Sequence, residues 1–181
     1  MRYSFILYIV LLCHIATAQK YYTKTGFTEF KASVKAFEPV EAKNNSSTAI
    51  LDTENGKVAA LLFIKAFRFR VALMEEHFNE NYMDSEQYPK ANFKGEILNF
   101  NKEELLKDYK NYPVSGILSI KGVNKEVSFP IALKWVGDKL LVKGEFIVSP
   151  SDFDIEIPSI VRKKISETVK ISFNYELLEK K

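Results

Sequence analysis

Side chains able to do chemistry are scarce in this sequence. Of its 181 residues two are histidine and one is cysteine. Cys13 and His14 both fall in a segment laid out like an export leader: Met1-Arg2, an apolar run from Tyr3 to Ile15, then the small residues Ala16-Thr17-Ala18. Cleavage is expected after Ala18, so that residues 1–18 are a signal peptide and residues 19–181 the mature chain. Processing leaves His77 as the lone histidine and no thiol. That excludes a disulfide framework, a thiol nucleophile, a thiolate zinc site and an iron-sulfur cluster. No G-x-S-x-G elbow accompanies His77 to make a serine triad. One imidazole does not make a metal site, and Glu76, Glu80 and Asp84 read as solvated helix residues, so no metal and no catalytic residue is assigned. A lipidated Cys13 is disfavoured, because Val10, Leu11 and Leu12 precede it where a small residue is needed.

The composition is that of an ordinary globular chain, 46% hydrophobic and 27% charged. The 26 basic residues less Arg2, against 23 acidic ones, leave a net charge of +2 on the mature chain. Both signs are interleaved, which gives no electrostatic footprint for nucleic acid. After the leader nothing approaches the run of about 18 uncharged residues that a spanning helix needs. The expected product is soluble and exported, to the periplasm or beyond.

The mature chain has no repeat and no linker long enough to divide it, and reads as one domain. Lys20–Thr25 and Phe27–Val34 alternate like strands, broken at Gly26. Residues 37–47 are polar, with Pro39 and Asn44-Asn45, and read as an irregular excursion before a strand at Thr48–Asp52. The Asn44 and Asn45 sequons are taken as loop polarity. Asn55-Gly56 is a turn signal, followed by a strand at Lys57–Ile64 that its apolar run predicts to be covered on both faces. Over Ala72–Tyr82 the period becomes helical: Leu73, His77 and Asn81, with Met74 and Phe78 beside them, oppose Glu75, Glu76 and Glu80. After Tyr88-Pro89 a strand is expected at Ala91–Phe100.

Two turns set the register of the C-terminal half. Gly137-Asp138 places Trp135 opposite Leu140, Leu133 opposite Val142, Ile131 opposite Gly144 and Phe129 opposite Phe146 on one face. A four-residue turn at Gly122–Lys125 pairs Ile120 with Val127, Leu118 with Phe129 and Gly116 with Ile131. In the last strand Val169, Ile171, Phe173, Tyr175 and Leu177 share a face. About eight half-buried antiparallel strands with one short α-helix predict an all-β fold, an up-and-down barrel closed to remove its edges. Pro130, mid-strand, lacks a ladder donor and predicts a bulge or a locally unpaired N–H at that point.

Three segments, Tyr88–Gly95, Gly116–Val127 and Phe146–Ile155, occur in an order and spacing that resemble the YceI-like family of exported lipid-binding proteins. The stretch Leu73–Tyr82 resembles the subgroup found in Bacteroidetes. The resemblance covers essentially the whole mature chain. It implies a lipocalin-like antiparallel barrel with a long interior pocket holding a polyisoprenoid, such as an isoprenoid quinone or a related amphiphile, with no catalytic residues and no required cofactor. The sequence departs from the family pattern at Asp154, where glycine is common, and in the phenylalanine content of residues 58–71.

The expected ligand-binding residues are Phe93, Ile97, Leu118, Ile120, Phe129, Ile131, Trp135 and Phe146 as apolar lining. Gly95, Gly116 and Gly144 are expected to leave room beside them, and His77 to meet a headgroup at a mouth covered by Tyr82 and Tyr88. The bland reading of the glycines is that they permit the bends of a closed barrel. The function expected is a soluble, non-catalytic binding protein for a long-chain isoprenoid or other amphipathic lipid. The alternative is a filled structural barrel whose loops bind a partner.

Overall fold

The computed structural model describes residues 19–34 and 36–180, so the expected signal peptide lies outside the described residues. The strands are β1 (Lys20–Ser33), β2 (Glu41–Asp52), β3 (Lys57–Phe63), the two-residue β4 (Arg68–Phe69), β5 (Lys90–Ile97), β6 (Lys110–Ile120), β7 (Val123–Val136), β8 (Lys139–Val148) and β9 (Ile165–Glu179). Among the described residues eight of them close an antiparallel barrel in the order β1-β9-β8-β7-β6-β5-β3-β2, with β2 returning to β1 and β4 added beside β2. Closure leaves these strands no free edge, and the all-β barrel with one short helix is the expected fold.

The Gly137-Asp138 hairpin pairs Trp135 with Leu140, Leu133 with Val142 and Ile131 with Gly144, as expected. This ladder ends at Ile131. Pro130 has no N–H to continue it, and it lies opposite Pro113 in an otherwise regular β6–β7 pairing. Beyond the break the Phe129 and Phe146 rings stack at 4.3 Å, bridging the two strands through side chains.

The β6–β7 turn corrects the sequence reading. It is the two-residue Lys121-Gly122, with φ of 49° and 79°, and Ile120 pairs with Val123, Gly116 with Val127 and Tyr112 with Ile131. Positive φ at both central residues is the geometry whose twist suits a tight hairpin. Gly116 is therefore not level with Ile131.

β2 is also longer than expected, because its polar residues are satisfied inside the barrel rather than placed in a loop. Asn44 is fully buried; its amide donates to the Phe63 carbonyl at 3.2 Å and its carbonyl oxygen accepts from the Ser46 N–H at 2.8 Å. Ser47, fully buried too, bonds Thr28 across the β1–β2 pairing at 2.8 Å. In β3 the expected full cover on both faces is not found: Val58 to Leu62 are all half-buried, with Val58, Ala59, Ala60 and Leu62 bordering the cavity, and Phe63 is exposed. β5 stops at Ile97, since Asn99 takes φ 54° and the Asn101 side chain accepts the Glu103 N–H to start a 3-10 turn at Lys102–Glu104. Residues 98–109 then fold under that end of the barrel, where Leu105 is buried and the Leu106 carbonyl accepts the Trp135 N–H at 2.9 Å.

At the opposite end, helix α1 (Ala72–His77) continues as a π turn over Phe78–Tyr82, closed by the Met83 N–H on the Phe78 carbonyl. This wider turn rotates the buried face. Met74, Phe78 and Tyr82 are half-buried, while Leu73, His77 and Asn81 of the expected stripe are exposed.

Candidate functional site: an apolar cavity in the barrel

Alternating inward residues at unequal sizes leave a space. Near the closed end Leu51, Leu133, Leu140 and Leu177 are almost wholly buried and, with Tyr112 and Leu105, fill the interior. Above them the wall built by β1, β2, β3 and β5 carries Ala32, Ala49, Ala60 and Ala91, facing Leu118, Phe129, Phe146 and Phe173 on β6 to β9. Short side chains opposite long ones leave a cavity of about 680 Å³ with an overwhelmingly apolar lining. That is within the size of sites that enclose small ligands.

Aromatic rings organise both its wall and its roof. Phe129 lies 5.5 Å from Phe93 and 6.3 Å from Phe173, and Phe173 stacks on Tyr175 at 5.0 Å. At the mouth Phe30 gathers Phe67, Phe69 and Phe78 at 5.3, 5.7 and 5.3 Å. The phenylalanine excess in residues 58–71 thus includes Phe67 and Phe69, which pin the β4–α1 excursion over the barrel end. The Glu75 carboxylate ties the same excursion, accepting from Arg68 at 2.8 Å and from the Phe69 N–H at 3.1 Å.

One polar cluster stands in this lining. Tyr175 and Thr28 line the cavity, and the Thr28 hydroxyl lies 2.9 Å from the Tyr175 hydroxyl and 2.8 Å from that of Ser47. The Tyr175 ring covers Gly26, where β1 changes register against β2; a Cβ there would stand 3.0 Å from the Ser47 carbonyl and overlap the ring. Burial pushes the Tyr175 phenol above its ordinary value, with the hydrogen bonds to Thr28 and Ser47 pulling the other way. Burial likewise raises Tyr82, at the mouth.

Of the residues expected from sequence, Phe93, Ile97, Leu118, Ile120, Phe129, Ile131 and Phe146 lie along the cavity wall, and His77 lies exposed at its mouth. Four expected residues do not reach it. Trp135 sits toward the closed end, edge-on to Tyr21 at 5.1 Å. Gly95 and Gly116 face each other, and a Cβ on Gly116 would stand 2.5 Å from Gly95 Cα and closer still to the Lys94 carbonyl oxygen. They serve close approach of two backbones. At Gly144 a Cβ would meet Phe173 Cζ at 2.7 Å and Ile131 Cγ2 at 3.1 Å, so neighbouring side chains already take that space. Tyr88 packs on Gly122 and is not part of the lining. The hydroxyl cluster, the alanine wall and the aromatic roof were not assigned from sequence. The only signal for the first is Thr28 and Ser47 at inward positions. Among the described residues no three His, Cys, Asp or Glu side chains gather to hold a metal ion, and no helix is long and apolar enough to cross a membrane.

A closed antiparallel barrel enclosing an apolar cavity, with a short helix folded over one end, defines a class of single-cavity barrels. Comparison with known proteins narrows it. The sequence matches the YceI-like domain over residues 14–177, and the chain belongs to that family. Solved structures share the fold, three of them as follows. The first is a polyisoprenoid binding domain from Saccharophagus degradans implicated in plant cell wall breakdown, at 14% identity and TM-score 0.75, covering 90% of this chain and 99% of that one. The second is BcnA of Burkholderia cenocepacia, at 19% and 0.68, covering 83% and 95%. The third is the YceI protein of Campylobacter jejuni, at 16% and 0.55, covering 77% and 84%. No curated protein matches the sequence.

Asp154 ends the 3-10 turn Pro150–Phe153 in the left-handed conformation, φ 53° and ψ 37°, where glycine pays no Cβ penalty.

Proposed function

We propose that the protein is an exported, soluble, non-catalytic carrier that holds a long-chain isoprenoid or other amphipathic lipid inside the barrel. The observation that carries this reading is the cavity of about 680 Å³, apolar along its walls and open at the α1 end. Desolvation drives entry. Each buried CH2 contributes roughly 0.8 kcal/mol, so on the order of ten methylenes offset the association cost of a small complex. The chain's apolar end enters first, toward Ile97, Ile131 and Leu133, and the headgroup stays at the rim beside His77 and Tyr82. A polyisoprenoid, including an isoprenoid quinone, suits a lining of branched and aromatic side chains. Membership of the YceI-like family, one of whose structural relatives is described as a polyisoprenoid binding domain, supports the same ligand class. The alternative, a filled scaffold barrel, requires an interior without such a space.

The test is mass spectrometry of the organic extract from the protein purified without added lipid, beside Ala60→Phe. A stoichiometric prenyl or long-chain lipid in the wild type, lost from a folded Ala60→Phe protein whose ring fills the alanine wall, is expected. Repeated recovery of empty, folded wild type that takes up no polyprenol would overturn the carrier reading.

A further inference from the structure

The end of the barrel at which the cavity opens carries an unusual combination of exposed side chains. The connection from the Pro150–Phe153 turn to β9 runs along the mouth, with Ile155, Ile157 and Val161 on the lining. Its tip is Ile160, 87% exposed. Arg162, Lys163 and Lys164 follow after Val161, all exposed, and none has a carboxylate within 4.0 Å among the described residues. Lys65 and Arg68 at this end pair with Glu86 and Glu75, whereas Arg70 stands unpaired among the described residues as a single cation beside the helical excursion. Leu73, 56% exposed, and Phe37, 42% exposed, reach the same mouth from α1 and from the β1–β2 connection.

One exposed isoleucine is ordinary. An apolar tip joined to three unpaired cations on the rim of a lipid-sized cavity is the pattern of an interfacial segment, in which apolar side chains enter the acyl boundary and Lys and Arg meet headgroups. Carboxylates at this end include Asp152, Asp154 and Glu156 before the tip, Glu167 after it, and Glu38, Glu76 and Glu80, the last two on the helical excursion; none falls within the 160–164 stretch. Approach to an anionic surface therefore favours the 159–164 side.

The closed end has an exposed Leu106, 68%, but its neighbour Lys107, unpaired among the described residues, is followed directly by Asp108 and preceded by Glu103 and Glu104, so no run of cations adjoins it. Lys102, Lys110 and Lys139 pair with Glu54, Glu104 and Glu176, and Lys134 and Lys143 sit over the Tyr109 ring at 4.5 and 3.9 Å.

We infer that the protein docks mouth-first on an anionic phospholipid bilayer, Ile160 inserting at the interface and Arg162, Lys163 and Lys164 resting among the phosphates. The inference rests on the carrier reading for its purpose, since the same face would pass lipid between bilayer and cavity, but docking is measured without reference to cargo.

The test is sedimentation with phosphatidylcholine vesicles, with and without phosphatidylglycerol, using exported protein whose variants share one N-terminus. Wild type is expected to bind the phosphatidylglycerol vesicles and to be released by salt. Each cation near an anionic surface contributes about fivefold in partitioning, so Arg162→Gln/Lys163→Gln/Lys164→Gln should weaken binding about 100-fold. Ile160→Ser should weaken it on both vesicle types, and Leu106→Ser should not. Thermal melts and extracted lipid, read on the same samples, report folding and cargo separately. A lipid-loaded wild type that binds neither vesicle overturns docking and leaves the carrier reading standing. Unchanged binding in the triple variant, or loss in Leu106→Ser alone, overturns the assigned face.

Discussion

Adding a single methyl group at Gly116 and at Gly144 separates two uses of glycine that look alike in a strand. At Gly116 the new Cβ would meet only backbone, Gly95 Cα at 2.5 Å and the Lys94 carbonyl oxygen nearer still. Carbon atoms rest at about 3.5–4.0 Å, so β5 and β6 would have to part by roughly an ångström against their own hydrogen bonds. The cost lies at the upper end of the overpacking range, about 3 kcal/mol. At about 2–4 °C per kcal/mol for a domain of this size, Gly116→Ala should lower Tm by about 6–12 °C. At Gly144 the obstacles are the ends of side chains, Phe173 Cζ at 2.7 Å and Ile131 Cγ2 at 3.1 Å, and Phe173 borders the cavity. Its ring has space to turn into, so Gly144→Ala should cost about 1 kcal/mol, or about 2–4 °C. Thermal unfolding by circular dichroism on lipid-extracted protein measures both, with Lys143→Ala on the outer face as the reference. A Gly144→Ala loss equal to or larger than that of Gly116→Ala would refute the distinction, and an unperturbed Gly116→Ala would refute the close-approach argument outright.

Three further outcomes are expected. Tyr175 is held above the ordinary phenol value of 10.0 by burial, so the stability this contributes is complete below that pH and is lost as pH rises toward the folded value. Tyr175→Phe should therefore flatten the alkaline fall in Tm while costing about 1 kcal/mol at neutral pH through the lost hydroxyl contacts; phenolate absorbance showing Tyr175 titrating with the exposed tyrosines would contradict this. Trp135, the sole tryptophan, lies off the cavity wall, so loading a lipid brominated along its chain should leave its emission nearly unquenched, and strong quenching would restore it to the site. Asp154→Gly relieves a left-handed residue at some cost in chain entropy, for a net gain of up to about 1 kcal/mol, and a lower Tm would show that Asp154 stabilises its turn by contacts of its own.

The sequence made faces legible and left levels obscure. Inward and outward sets along β6 to β9 follow from alternation, because one residue of slip exposes a whole apolar row. A register change that moves each residue's partner by an even number of positions leaves every side chain on its face. That is what separates the expected Gly116–Ile131 pair from the observed Gly116–Val127 pair, four residues along β7. Hydrophobic pattern is blind to it, and only the turn chemistry of Lys121-Gly122 carries the information. Polar residues misled in the opposite way. Asn44 and Ser47 resemble loop composition, yet each finds its hydrogen bonds inside the barrel, through the Phe63 carbonyl and Thr28, from residues distant in sequence.

The lining was legible, but the room within it was expected at three glycines that do not supply it. A glycine in a strand seems to offer the volume of a missing side chain, but the offer holds only when nothing else has moved in. Backbone moved in at Gly95 and Gly116, and Phe173 moved in at Gly144. Alanines on β2, β3 and β5 are unremarkable in sequence, since alanine is small everywhere. They become a cavity wall only because closure sets Ala49, Ala60 and Ala91 across from long side chains on strands distant in the chain. The opening is thus a property of two walls together, and enlarging either should close it: Ala49→Leu in the alanine wall and Leu118→Phe in the opposite wall should each reduce retained lipid. Ala49 and Leu118 are equally buried, and Ala49→Leu adds the larger volume, so it should also lose more stability. Equal lipid retention in both variants at full stability would mean that the chain does not occupy the space between these walls.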